Sequence, residues 1–215
     1  MRSRISIMTL LIILVDLWGL ANAGGIAGIE AGAGPNFGYL AYDDPLEIWD
    51  AGWALGFTGE IGLEIPISDR FAVVPTARFV SMSNKVEMDD PDINGEYDVN
   101  HRMISLPVLF RYDLKKNMLF VEAGPEFSFF MSSELNADYE ELGIPRKETD
   151  DISDRVKSYN VGGCVRIGFK ASGWNIPIAV MAAYHHGITG VAEEEKWLSD
   201  WKTREITLSV AYLFN

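Results

Sequence analysis

The sequence predicts an all-β fold, an eight-stranded antiparallel up-and-down transmembrane β-barrel, on three observations. A strict period of two runs through eight segments, the connections between them alternate short and long, and the charges inside the segments keep to one face. Period two is the mark of extended strands whose side chains alternate between two sides of a sheet. Confinement of charge to the face opposite the large apolar residues decides which side meets lipid.

The segments follow in order. Residues 26–34 set Ala27, Ile29, Ala31 and Ala33 against Gly28, Glu30 and Gly32. Residues 53–67, WALGFTGEIGLEIPI, place Trp53, Leu55, Phe57, Ile61, Leu63 and Ile65 on one side and Thr58, Glu60 and Glu64 on the other. In 71–82, Phe71, Val73, Ala77 and Phe79 alternate with Thr76 and Arg78, and in 102–112, Ile104, Leu106, Val108, Phe110 and Tyr112 alternate with Ser105 and Arg111. Residues 119–131 oppose Val121, Phe127, Phe129 and Met131 to Phe120, Glu122, Glu126 and Ser128. Residues 159–171 oppose Val161, Val165, Ile167 and Phe169 to Cys164, Arg166 and Lys170. Residues 176–188 carry Ile178, Val180, Tyr184 and Ile188 against Met181 and His185, and 203–214 carry Ile206, Leu208, Val210, Tyr212 and Phe214 against Glu205, Thr207 and Ser209.

Residues 68–70, 113–117 and 172–175 read as tight turns, and 35–50, 83–101, 132–157 and 190–202 as long polar loops. Short turns on one rim and long loops on the other match an outer-membrane barrel, with the N-terminus on the periplasmic, short-turn side. Ahead of the barrel, residues 1–23 read as a signal peptide: Arg2 and Arg4, an apolar run from Ile5 to Val15, and a closing Ala21-Asn22-Ala23. The apolar run is too short for a spanning helix, which needs about 20 residues. Residues 24–215 are then one barrel domain.

Removing the leader leaves 30 acidic and 16 basic residues, and the four long loops hold 22 of those acids and 7 of those bases. The strands and short turns are therefore nearly neutral and the loops strongly acidic, which argues against a nucleic-acid partner. Arg102 and Arg204 fall on the apolar parity near strand ends, where long basic side chains reach the interface. Trp49, Trp53, Trp197 and Trp201 mark one aromatic girdle, and Tyr112, Phe120 and Trp174 the other. Cys164 is the only cysteine, so no disulfide forms within the chain; it reads as a small strand residue, with a reactive thiol as the alternative.

An eight-stranded barrel is just wide enough to be filled by its own side chains. Glu60, Arg78, Arg111, Glu122, Glu126, Arg166 and Lys170 therefore read as an interior polar network of interleaved opposite charges. Glu60 and Arg78, placed symmetrically about the 68–70 turn, are expected to face each other. A narrow conduction path through the same charges is the competing reading. His185 points inward and His186 outward, with no serine and orienting carboxylate arranged around either, so no catalytic residue is assigned. In DDPDINGEYDVNH, Asp90, Asp92 and Asn94, then Asp98, copy the first part of a Ca²⁺ loop, but His101 stands where the closing glutamate belongs. The alternative is an acidic hairpin with Asn94-Gly95 at its tip. No cofactor is expected.

The stretches ISLPVLFRYDLKKNMLFVEAGPEFSFFM and AVMAAYHHGITG, with REITLSVAYLF, resemble the PorT-like outer-membrane β-barrel family of Gram-negative bacteria. Leu106-Pro107, Ala123-Gly124-Pro125, Tyr184 with Gly187-Ile188, and the aromatic-ended last strand carry the resemblance; Ser105 and the terminal Asn215 depart from it. The resemblance implies an outer-membrane location, contact with outer-membrane lipids and with the barrel-insertion machinery, and a role assisting protein secretion. From the residues themselves the expectation is a non-enzymatic surface interaction or structural protein, its acidic loops meeting divalent cations or a cationic partner. A lipid-modifying enzyme is the third reading.

Overall fold

Strands that are apolar on one face and polar on the other must hide one face, and here the polar face is hidden. A computed structural model describes residues 28–42, 49–89, 93–115, 118–141, 144–174, 176–191 and 201–214. The expected signal peptide lies outside them. The described residues form ten strands: β1 (Gly28–Tyr42), β2 (Trp49–Gly52), β3 (Ala54–Pro66), β4 (Phe71–Asp89), β5 (Ile93–Lys115), β6 (Leu119–Glu141), β7 (Ile144–Asp151), β8 (Tyr159–Lys170), β9 (Ile178–Gly187) and β10 (Trp201–Phe214). Eight of them close a ring in the order β1-β3-β4-β5-β6-β8-β9-β10, every neighbour antiparallel. First and last strands seal it, from Ile29 opposite Phe214 to Tyr42 opposite Trp201.

The ring is inside-out relative to a soluble protein. Leu55 is 65% exposed and Ile61 58%, whereas Arg78 and Arg111 are each 1% exposed. Outward apolar residues with buried ions inside are the arrangement of a lipid-facing wall, and the chain is an eight-stranded transmembrane barrel.

On the short-turn rim, Ile67 N–H donates to Phe71 O at 2.8 Å and Ser68 Oγ accepts from Phe71 N–H at 3.3 Å. The third turn is a 3₁₀ turn at Ala171–Trp174. Phe71 with Tyr112, Phe169 with Trp174, and Tyr212 with Phe214 form outward ring pairs along this rim. Phe120, expected among them, is instead fully buried inside the barrel, as its polar-face parity requires.

The opposite rim corrects the sequence reading most. Residues 83–101 and 132–157 are largely strand: β4 pairs with β5 from Phe71↔Tyr112 out to Asp89↔Asn94, β5 with β6 out to Ile93↔Glu141, and β7 lies along β6. Likewise β1 continues through Tyr42, and β2 adds to the far end of β4. The wall thus rises into a sheet in the order β2-β4-β5-β6-β7. A register shift marks where it leaves the barrel, Arg102 pairing with Ser132 but Met103 with Phe130. This β-bulge at Met131 switches the inward parity of β6 from even (Glu122, Glu126, Ser128) to odd (Ser133) and bends the strand.

Above the polar interior, Val99, Ile152, Val156 and Val191 form a small apolar core with Phe130 and Leu135. Ile152 N–H donates to Ser133 O, and Lys157 N–H to Val191 O, at 2.9 and 2.8 Å. The segments following β7 and β9 therefore fold back over the inside of the long-hairpin rim.

Candidate functional site

Every strand of the ring sends at least one titratable side chain inward, because polar residues keep to one parity along each strand through the lipid band. Arg111 of β5 is one hub. Its Nη1 donates to Glu30 Oε1 at 2.7 Å and Glu64 Oε2 at 2.6 Å, its Nη2 to Glu30 Oε2 at 2.9 Å, and its Nε to Glu122 Oε1 at 2.7 Å. Below the guanidinium lies the Phe120 ring, 4.2 Å away, a cation–π contact in a desolvated place. The ring has room because Gly168 is its cross-strand partner; a Cβ there would stand 2.1 Å from Phe120 Cζ.

Arg78 of β4 is the other hub. Nη1 donates to Glu126 Oε1 at 2.9 Å, Nη2 to Glu205 Oε1 at 2.7 Å and to Thr207 Oγ1 at 3.3 Å. Arg166 joins the hubs, reaching Glu60 Oε2 at 2.6 Å and Glu122 Oε2 at 3.3 Å. Lys170 donates to Glu64 at 2.8 Å, and Ser209 Oγ to Glu60 Oε1 at 3.0 Å. The seven residues expected inside are all there and all joined, in the sequence Lys170, Glu64, Arg111, Glu122, Arg166, Glu60, Arg78, Glu126, His185. Glu30, Glu64, Glu205 and His185 complete the network. Their inward parity was readable; that they are hub ligands was not, because it depends on neighbours across the barrel.

Glu60 and Arg78 face each other inside the barrel, but neither is the other's closest partner. The two residues are in register across β3 and β4, but the closest approach is 4.0 Å, at Arg78 Nε. Arg78 is held more tightly by Glu126 and Glu205, and Glu60 by Arg166. Loss of Glu60 would therefore still leave Arg78 with two carboxylates.

Next to the Arg78 hub, Cys164 Sγ, a ring nitrogen of His185 and a Glu126 oxygen lie within 4.8 Å of one another. His185 Nδ1 is 2.6 Å from Glu126, leaving Nε2, which stands 3.9 Å from Cys164 Sγ. One sulfur and one nitrogen are half of a tetrahedral zinc ligand set. The order thiol, imidazole, carboxylate is that of an activated nucleophile, but the thiol is 1% exposed and walled in by the network. A cavity of about 20 Å³ remains beside His185, Asn160 and Thr203, room for a single water. Six carboxylates, five of them buried, against four permanent cations leave the network with an excess of negative charge, which His185 faces through Glu126.

The proposed Ca²⁺ segment is divided. Asp90 and Asp92 lie outside the described residues, and Asn94 and Asp98 belong to strand β5, opposite Asp89 and Lys85. His101 turns inward to Ser133 Oγ at 2.8 Å, on the other face of the strand from Asp98. The described part of the segment is ladder rather than a loop wound about an ion. Outside the wall, His186 Nδ1 lies 3.2 Å from the Tyr184 hydroxyl.

Comparison with known proteins supplies the family. The family described as outer membrane protein beta-barrel domain matches residues 25–193. Among solved structures, Ail, the attachment invasion locus protein of Yersinia pestis, is 13% identical, the alignment covering 87% of this chain and 99% of that one at a TM-score of 0.44. Neisserial surface protein A is also 13% identical, with 87% and 98% covered and a TM-score of 0.46. The outer membrane protein OprG of Pseudomonas aeruginosa is 10% identical, with 89% and 98% covered and a TM-score of 0.45. No curated protein matches.

Proposed function

The chain belongs to the outer membrane protein beta-barrel domain family, and from that premise we propose that it is a non-enzymatic surface protein presenting an acidic sheet to a cationic partner. The observation that carries this reading is the continuation of β4, β5 and β6 beyond the lipid band, joined by β2 and β7. Its outer face carries Glu96, Asp98, Glu134, Asp138 and Asp151 against Lys85 and Lys147. Glu96 stands directly opposite Asp138, and Glu134 opposite Asp151, so like charges face each other across the sheet, offset in part by Lys85 on Glu96 and Lys147 on Asp138. The filled interior supports the same reading, since it leaves the sheet as the part that can meet another molecule.

In this reading the long-hairpin rim faces the exterior and the N-terminus the periplasm. Protease applied to intact cells should cut within 144–157 and spare the 171–174 turn; the reverse pattern overturns the orientation. A photo-crosslinker at Glu96 should capture a basic protein, and the capture should fail when Asp98, Glu134 and Asp138 are changed to amides. Capture unchanged by those substitutions would sink the acidic-sheet reading. Divalent cations at Asp90, Asp92, Asn94 and Asp98 are a subsidiary part of it, tested by protection of residues 86–101 from proteolysis in millimolar Ca²⁺. The resemblance to PorT-like proteins favours a second reading, an accessory of protein secretion, which copurification of secretion components would support.

A further inference from the structure

Two arginines stand on the lipid side of the wall at matching heights. From the short-turn rim, β10 turns Phe214, Tyr212, Val210, Leu208 and Ile206 outward and then Arg204; β5 turns Tyr112, Phe110, Val108, Leu106 and Ile104 outward and then Arg102. Five outward residues span about 27 Å of strand, or roughly 21 Å of membrane thickness at a 40° tilt, close to the height of a barrel's apolar band. Each guanidinium therefore sits where lipid headgroups begin.

Their surroundings differ. Arg102 lies between Ser81 and Ser132. Arg204 lies between Tyr39 of β1 and His186 of β9. The Tyr39 ring stacks on Trp53 at 5.3 Å, which fixes one side of the site. On the other side His186 Nδ1 lies 3.2 Å from the Tyr184 hydroxyl, which holds the ring and leaves Nε2 outside that contact. Arg204 Nε is buried without a hydrogen-bond partner, and no carboxylate among the described residues forms an ion pair with Arg204. A desolvated, unused N–H is costly unless a ligand takes it up. The guanidinium and the phenol offer donors, and neither they nor the imidazole is an anionic acceptor, which selects an oxyanion; at headgroup depth the oxyanion at hand is phosphate.

We propose that Arg204, with His186 and Tyr39, binds the phosphate of a membrane lipid headgroup at the long-hairpin rim. The assignment holds whichever way the barrel faces, so it stands apart from the reading of the acidic sheet. Arg102, with hydroxyls for neighbours, is the internal comparison: a cation at the same height that merely reaches the interface.

The test is native mass spectrometry of the folded protein released from maltoside micelles, using phosphatidic acid as probe and diacylglycerol as its phosphate-free counterpart. Wild type should retain phosphatidic acid and not diacylglycerol. Arg204→Gln should lower retention about tenfold, the value of one lost charge-assisted contact. Arg204→Lys should keep part of it and His186→Asn should weaken it less, while Arg102→Gln should leave it unchanged. Heat-modifiable gel mobility reports folding of each variant, and the lysine variant keeps the test decisive if the glutamine variant does not fold. Equal loss in Arg204→Gln and Arg102→Gln would reduce the site to general surface charge, and displacement of the lipid by millimolar inorganic phosphate would assign it to free anion; either overturns the proposal.

Discussion

Strand β5 is two strands in succession. From Met103 to Tyr112 it alternates lipid-facing Ile, Leu, Val and Phe with buried Ser105 and Arg111; from Ile93 to Arg102 it alternates acids and Asn with Tyr97, Val99 and His101. The lower half is held by a low-dielectric surround that leaves no backbone group unpaired and makes each interior charge depend on its partners. The upper half is held by ordinary sheet forces: cross-strand pairs such as Tyr97 stacked near Tyr139 at 6.2 Å, and ladder hydrogen bonds to β4 and β6. One continuous ladder therefore has a stiff, electrostatically locked part and a projecting part of modest local stability.

The sharpest break of that contrast is Arg111→Met. It removes the partner of Glu30, Glu64 and Glu122 at once, and by analogy with broken buried ion pairs should cost about 3–5 kcal/mol, read as a lower urea midpoint for barrel unfolding. An unchanged midpoint would mean that the hub adds nothing to the lower half. Gly168→Val comes next, since the new methyls occupy the place of the Phe120 ring. Overpacking of this kind costs about 1–3 kcal/mol, and Gly168→Ala should do less damage while following the same direction. A third test separates register from contact. Double-mutant cycles should give Glu60 and Arg166 a coupling of about 1–2 kcal/mol, larger than that of Glu60 and Arg78, although only the latter pair is opposed across neighbouring strands. Equal couplings would restore the simpler cross-strand pair.

The smallest effect belongs to the projecting sheet. Partial burial, then the neighbouring Tyr139 and Glu148, push the Tyr97 phenol above its ordinary value. A raised folded-state value means that its contribution is full below the ordinary phenol value of about 10 and is lost as pH rises through the raised one. Hydrogen exchange in 93–101 should therefore quicken more steeply above that pH in wild type than in Tyr97→Phe, while exchange in 103–112 stays even. A variant that matches wild type would take the phenol out of the account.

The same contrast explains what the sequence disclosed. In the lipid band, the solvent makes a strict demand, so Leu55, Phe57, Ile61 and their partners spell out each strand and its inward face. Beyond the band nothing demands large apolar residues, and Tyr97, Val99 and Leu135 among acids read as loop although their spacing was already two. The bulge at Met131 left no mark in composition, since one extra residue in an alternating strand changes parity without changing character. Inside, parity named the members of the polar network, but which carboxylate holds which arginine follows from ring closure, as Glu205 reaching Arg78 and Glu30 reaching Arg111 show.

That closure has a kinetic side. Arg78 meets Glu205 across 127 residues of chain, Glu60 meets Ser209 across 149, and Arg111 meets Glu30 across 81. An open sheet made of the first strands alone would hold Arg78 without Glu205, and Glu60 without Ser209, until β10 arrives. Such long-range contacts give little until the ends meet, which makes their formation slow and concerted. Zipping of β10 onto β1 and pairing of these interior groups are therefore a single event. A chain cut short before Thr203 would lose more than one strand, because it would never leave the state in which its charges are open.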